Sequence, residues 1–444
     1  MRVFWVGDNS ASLNWGRAAS IALRQVLEES FSLSGRIAGD MFDARCARAA
    51  YVGTLLPSRY IHYYRWALEH RNRWPVSWYV AIEKACGATD FISEDPAVTV
   101  DRLLRNQRRY PEFRAICTEA KTADLIVVDG DGDIIFTTPP RRQTLFLLAM
   151  IELAVRLGKP VFLVNSMISD CPETGTNLAT LQFARRLFSS CNAVVLRDPE
   201  SLEYVQQHMP DVRASLLPDS LFTWFPIYQQ NESRPPRNGD FLLPYPENTE
   251  FWGKLDFSLP YICIGGGALA ASHPRQATES YVQLTRALLA LGYPVYLTEN
   301  DAPDSFLRHV AAETGAGLVP ANAPILACGS VLAHAELFVS GRYHPSIFAS
   351  LGGTPCICLG SHAHKMNSFC RIMEYDSQQF FSGMPGDEEI AAIVATARKL
   401  LDGGDAPRQK IRMVAQKRCR EAKNLPAFLQ AQMIQAEPAA QMRG

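Results

Sequence analysis

The residues best suited to chemistry lie in one stretch, 338–365, which reads FVSGRYHPSIFASLGGTPCICLGSHAHK. Arg342 presents a planar fork of donors that matches carboxylate or phosphate oxygens. His344 beside it can give or take a proton near neutral pH. Pro345 suits the first turn of a helix, where its missing N–H would be unpaired anyway. The free N–H groups and positive dipole of such a helix start favour an anion. Together these are the parts of a site that holds an anion and moves a proton. Isolated from its context, the same string also reads as a surface turn whose Arg and His cap their neighbours.

Other clusters also follow predicted strands. Arg197 and Asp198 come after AVVL; Asp198 reads as the N-cap of a helix starting near Pro199, and Arg197 stands where it could hold an anion. Gly265, Gly266 and Gly267 follow YICI. Glycine there permits close backbone approach to a ligand, and a tight turn explains the triplet equally well. The loop DGDGD at 129–133 imitates a calcium loop, but Ile134 and Pro140 stand where such a loop needs its glycine and its bidentate glutamate. A metal clamp for a sugar nucleotide stays open beside a plain glycine turn, and no metal is assigned. Arg102, Arg105, Arg108, Arg109 and Arg114 form a basic run at mostly helical spacing. It reads as a solvated face, with contact to an acidic glycan or to lipid-carrier phosphates as the sharper alternative. Just upstream Tyr60, Tyr63, Tyr64, Trp66, Trp74 and Trp78 could stack on sugar rings or fill a core.

Positioning such groups requires strands that end together. Short apolar runs at 2–6, 124–129, 160–165 and 193–196 alternate with helical periods, and Leu216 to Pro218 leads to Asp219 at another strand end. A Pro-, Asn- and Ser-rich break at 229–250 has linker composition. Alternation restarts with strands at 261–264, 294–298, 337–340 and 355–359, followed by helical patterns at 387–402 and 406–422. This order predicts parallel sheets with crossover helices, in two Rossmann-like domains facing across a cleft that gathers the loops after the strands. The expected boundaries are 1–228, with a helical insertion at about 57–115, then the linker, a second domain at 251–386, helices at 387–430, and a fraying tail at 431–444.

Composition narrows the class. The chain has 444 residues, 47% hydrophobic and 20% charged, which suits a two-domain globular protein. A formal net charge of -1 offers no general basic field for nucleic acid. The opening MRVFWVGDNS lacks the features of a secretory signal, and the longest apolar run is too short for a membrane span, so a cytoplasmic location is expected. The eleven cysteines form no CxxC pair; Cys356 and Cys358 in an apolar run read as buried thiols.

The string SGRYHPSIFASLGGTPCI, followed by Lys365, resembles the signature of the polysaccharide pyruvyl transferase family. Gly7-Asp8-Asn9 and Asn14-Trp15-Gly16-Arg17 resemble its opening loop, and DGDGD stands at its second loop. AVVLRDPES resembles its Arg-Asp-x-x-Ser segment, and Pro218-Asp219 its strand-end aspartate. DGDGD departs from the plainer glycine cluster of the family, and 57–115 matches no part of its pattern, so acceptor choice could reside there. The resemblance implies a GT-B-like pair of domains with C-terminal helices packing back. It also implies transfer of the enolpyruvyl unit of phosphoenolpyruvate to a sugar as a pyruvate ketal. Arg342, Arg197, Lys365 and Ser340 would bind the donor, with Arg342 and His344 catalytic and His344 the general acid. Asp8, Asn9, Asn14, Asp131, Asp219 and Gly266 are acceptor or loop candidates. No cofactor or metal is required. The expected partners are phosphoenolpyruvate and a sugar of a polysaccharide, an oligosaccharide or a lipid-linked precursor, the last implying peripheral membrane contact. A nucleotide-sugar glycosyltransferase and a non-catalytic glycan- or anion-binding module of the same fold are the alternatives.

Overall fold

The computed structural model describes residues 1–10, 12–38, 51–52, 89–229, 247–361, 363–375 and 380–441. Its first half begins with β1 (Arg2–Asp8), α1 (Arg17–Glu28), β2 (Ser32–Ala38), and the short β3 (Tyr51–Val52) and β4 (Thr89–Asp90). Then come α2 (Pro96–Asn106), α3 (Pro111–Thr122), β5 (Leu125–Asp129), β6 (Ile134–Phe136) and α4 (Arg142–Arg156). The half closes with β7 (Val161–Ser166), β8 (Ile168–Asp170), α5 (Leu178–Ser189), β9 (Ala193–Leu196), α6 (Pro199–His208) and β10 (Ala214–Leu216). A 3₁₀ segment, Ser220–Gln229, leads out of it.

The second half contains β11 (Ile262–Gly267), α7 (Ala268–Ser272), α8 (Pro274–Leu289), β12 (Val295–Thr298), α9 (Leu307–Thr314) and β13 (Gly317–Val319). It continues with α10 (Ile325–Ala333), β14 (Leu337–Gly341), α11 (Tyr343–Gly352), β15 (Cys356–Leu359), α12 (Lys365–Ile372) and β16 (Phe380–Phe381). Three helices end the chain: α13 (Asp387–Asp402), α14 (Asp405–Ala422) and α15 (Leu425–Gln441).

Each half is built on a six-stranded sheet whose neighbouring strands run parallel. Val3 to Val6 in β1 and Cys356 to Leu359 in β15 are buried throughout, as strands covered by helices on both faces must be. The first sheet has the order β10-β9-β7-β5-β1-β2 and the second β13-β12-β11-β14-β15-β16. Strand order therefore reverses beside β1 and β5 in one sheet and beside β11 and β14 in the other, and ligands of such sheets bind at the carboxyl ends of those strands.

The helices α2 and α3 form the crossover from β2 to β5, with α2 packed on α4. Of the expected helical insertion at about 57–115, residues 96–115 belong to the first domain's helical layer; 57–88, with its Tyr and Trp cluster, lies outside the described residues. In the basic run Arg105, Arg108, Arg109 and Arg114 are exposed and Arg102 half-buried, as a solvated face would be. Most of the expected linker also lies outside the described residues.

The halves share a core. Trp15, Ala18 and Ile21 at α1 pack with Phe222, Trp224 and Phe225 of the 3₁₀ segment, Phe348 and Leu351 of α11, and Ile411 and Ala415 of α14. The chain then returns: Leu425 and Leu429 of α15 are buried beside Trp5, Val26 and Phe31 of the first half. The C-terminal helices do pack back, and α15 runs on to Gln441, past the expected start of the tail at 431. Among the described residues no helix is long and apolar enough to cross a membrane.

Candidate active site

The loops at both strand reversals meet around a cleft of about 430 Å³. From the first domain it is lined by Asn9, Ser12, Asn14 and Arg17 after β1, by Asp131, Gly132 and Asp133 after β5, by Arg141 and Gln143 at the start of α4, and by Arg197 after β9. From the second domain come Asn300 and Asp301 after β12, Arg342, Tyr343 and His344 after β14, and Ser361 and Lys365 before and at the start of α12.

Arg197 and His344 meet at the centre. The Arg197 guanidinium is 1% exposed and lies over the Tyr343 ring, 4.6 Å from its centroid. Its Nη1 donates to Asp131 and, at 3.0 Å, to Asp219, and stands 3.2 Å from His344 Nε2. Burial opposes charge on Arg197, but Asp131 and Asp219 outweigh it and hold the guanidinium protonated. Asp131 is buried too, yet Arg197, His344 and Lys365 hold its carboxyl down to about 2. His344 Nε2 lies 3.4 Å from Asp219 and 3.6 Å from Asp131, and its Nδ1 side abuts Gly16. Beneath, Asp129 accepts from Ser20 Oγ at 3.2 Å, and burial with the charge of Asp131 pushes its carboxyl well up.

Arg342 forms the second focus. Its Nε donates to Asp304 at 3.1 Å, and its Nη2 donates to Asp304 at 2.5 Å and to Asp301 at 2.9 Å. Burial raises the Asp304 carboxyl to about 7 against the opposing charge of Arg342. Asp301 also accepts from Asn14 Nδ2 across the cleft at 3.3 Å. Neither aspartate was foreseen: NDAPD after a strand reads as an ordinary turn, and only its place at a strand end of the second sheet could have singled it out.

The remaining sequence candidates divide between the cleft and its support. Asn9, Asn14, Asp131, Arg197, Arg342, His344 and Lys365 line the cleft. Asp219 is fully buried behind Arg197. Asp8 is buried and accepts from the Ser10 N–H at 2.9 Å. Ser340 accepts from the Arg342 N–H at 3.0 Å and donates to the Gly266 carbonyl at 3.2 Å, so it shapes the turn that carries Arg342 instead of lining the cleft. Gly266 makes room: a Cβ there would lie 2.3 Å from Asp304 Oδ1. Asp198 caps α6 by accepting from the Ser201 N–H at 2.9 Å, as predicted, and also lies 3.1 Å from His364 of the other domain. Burial works against the Asp198 carboxylate, but the His364 hydrogen bond holds its pKa below the usual value.

The arrangement offers several cations, a histidine between carboxylates, and a wall of amides and hydroxyls from Asn9, Ser12, Asn14, Gln143 and Asn300. It can hold a small polyanion beside a hydroxyl-rich molecule and transfer a proton between them.

A family model described as polysaccharide pyruvyl transferase matches residues 54–363. No curated protein sequence matches the chain. In fold it is similar to a UDP-GlcNAc 2-epimerase from Methanocaldococcus jannaschii, with TM-score 0.50 and 10% identity over 93% of this chain and 98% of that one. It is similar also to Os79 from O. sativa in complex with UDP, with TM-score 0.51 and 12% identity over 97% and 100%. A putative UDP-N-acetylglucosamine 2-epimerase from Listeria monocytogenes gives 0.50 and 10% over 96% and 94%. At such identities the likeness is one of fold, two Rossmann-like domains in the GT-B arrangement.

Proposed function

We propose, since the chain belongs to the polysaccharide pyruvyl transferase family, that it moves the enolpyruvyl group of phosphoenolpyruvate onto a sugar as a pyruvate ketal. The observation that carries this reading is the convergence of Arg197, Arg342, Lys365 and His344 on one cleft at the facing strand reversals. Phosphoenolpyruvate has a carboxylate and a phosphate on a small frame, and two cationic poles suit it. The amide wall suits the hydroxyls of a sugar acceptor.

In this scheme His344 delivers a proton to the methylene carbon, which becomes the methyl group. One acceptor hydroxyl attacks the neighbouring carbon and surrenders its proton. Phosphate then departs with the C–O bonding pair, and the second hydroxyl closes the ketal ring as its proton leaves. Two hydroxyl protons are lost; one replaces that given by His344 and the other leaves with phosphate. Asp131 and Asp219 lie within 3.6 Å of His344 Nε2 and hold the ring in place, and Arg197 and Arg342 hold the negative charge that moves. Asp301, whose carboxyl burial raises, lies against Asn14 and is the carboxylate best placed to take a hydroxyl proton. Asp219, sealed behind Arg197, acts through His344 instead.

Phosphate release from phosphoenolpyruvate in the presence of a panel of glycosides tests the reading, with the ketal methyl singlet in proton NMR as the product signature. Binding of a nucleotide sugar, with none of phosphoenolpyruvate, would replace it by the glycosyltransferase reading. Phosphoenolpyruvate binding without turnover on any glycoside would favour the binding module.

A further inference from the structure

His364 directly precedes Lys365 in the chain, and Asp198 directly follows Arg197. The two meet across the domains: His364 Nε2 lies 3.1 Å from Asp198 Oδ1 and 3.2 Å from Ser201 Oγ. Asp198 is 1% exposed, and as a carboxylate it can only accept, so Nε2 carries the proton. One turn on in α12, Ser368 Oγ lies 3.0 Å from the same Asp198 oxygen and 2.6 Å from Glu200. Further along, Arg371 reaches Glu200 at 3.2 Å and Glu203 at 2.7 Å. Positions 364, 368 and 371 fall on one face of a helix, and that face lies on the start of α6.

The residue before His364 is held by the same neighbour. Ala363 has a φ of 56°, in the left-handed region that is costly for a residue with a Cβ. Its side chain packs on Ile135, Met167 and Cys171 of the first domain. On the other side of His364, Lys365 Nζ comes within 2.7 Å of the place a Cβ on Gly132 would take. Three successive residues of the second domain therefore rest on the first. Exposed ion pairs such as Arg371 with Glu203 hold little. The buried end at Asp198 fixes the geometry, because a carboxylate taken out of water needs the donors around it.

We infer that His364 is a positioning residue: its bond to Asp198 clasps the two domains and fixes the turn of α12, which sets Lys365 opposite Arg197 in the cleft. One peptide joins His364 to Lys365 and one joins Asp198 to Arg197, so a shift at the clasp passes directly to both cations. That Lys365 meets the donor rests on the functional reading above; the clasp itself rests on the contacts. The Lys365 amine reports its own placement. Arg197 after β9 and Arg141 from α4 face it, with Asp131 and Asp133 from the loop and Asp301 from beyond β12. Burial, then the two arginines, bring the amine down to about 8. Withdrawn from them, it would return toward the ordinary lysine value of roughly 10.4.

Acetylation of Lys365 by acetic anhydride as a function of pH, followed by mass spectrometry on the full chain, tests the clasp, since only the neutral amine reacts. In the wild type the labelling midpoint is expected near pH 8. His364→Ala should raise that midpoint by about one pH unit or more. It should also raise KM for phosphoenolpyruvate about tenfold, with kcat within a few-fold. His364→Gln, whose amide can donate to Asp198 in place of Nε2, should restore both. Ser368→Ala removes another donor to Asp198 and should move the midpoint in the same direction. A Lys365 profile unchanged in both alanine variants would overturn the clasp, whatever the fall in their thermal unfolding midpoints. A shifted profile that glutamine does not restore would overturn it too. A profile that shifts and is restored, in a chain that turns over no phosphoenolpyruvate, would keep the clasp and sink the transferase reading.

Discussion

His344 sits where one ring nitrogen meets Arg197, Asp131 and Asp219 within 3.6 Å. A glutamine there keeps the shape and a hydrogen bond but not the transferable proton. His344→Gln is therefore expected to lower kcat by about 10²–10⁴-fold while phosphoenolpyruvate affinity stays within a few-fold. Loss of affinity in step with turnover would make His344 a ligand and not an acid. Asp131 supports a different prediction. Its carboxyl is held near 2 in the folded chain against about 3.9 in an unfolded one. A depressed carboxylate contributes stability that is present above the unfolded value and fades as pH falls through the folded one. The deficit in urea midpoint of Asp131→Asn should thus shrink from pH 5 to pH 3; a constant or widening gap would contradict the ion pair. Arg342, His344 and Arg197 were legible in the sequence because each follows a strand and stands in a patterned string. Asp301, Asp304 and Arg141 were not, because an aspartate in a turn and an arginine before a helix are common, and only the tertiary fold brings them to the cleft.

At the scale of elements, the parallel strands were readable to within a few residues, because buried strands between helices are continuous apolar runs. β9 and α13 fall at their expected positions, and β5 and β7 begin one residue later than read. The 3₁₀ segment and α15 were not foreseen. Ser220–Gln229 contains Pro226 and no helical period, and α15 has an Ala- and Gln-rich sequence that identifies no partner. Burial on the first domain explains α15: Leu429 is 0% exposed and Leu425 6%. Leu429→Ala should cost about 2–5 kcal/mol of unfolding free energy, read as a lower denaturant midpoint. A change within 0.5 kcal/mol would mean that α15 is not seated on α1.

At the scale of the whole molecule, the shared core around Trp15, Phe222, Phe348 and Ile411 couples the halves. Tryptophan fluorescence and far-UV circular dichroism should therefore report one coincident thermal transition. Phosphoenolpyruvate at a hundred times its Kd should raise that entire transition, by about 2.7 kcal/mol of stabilisation. Two separated transitions, with only one moved by ligand, would show the halves to be independent. The path of the chain has a further consequence for recombination between relatives. Because α1 is built into the second domain's core and α15 into the first domain's, no single crossover point yields two self-contained modules. A chimera that joined the first half of one homologue to the second half of another would mismatch two buried seams at once. New acceptor preferences should therefore arise in this fold by local change in the cleft loops, with the halves inherited together.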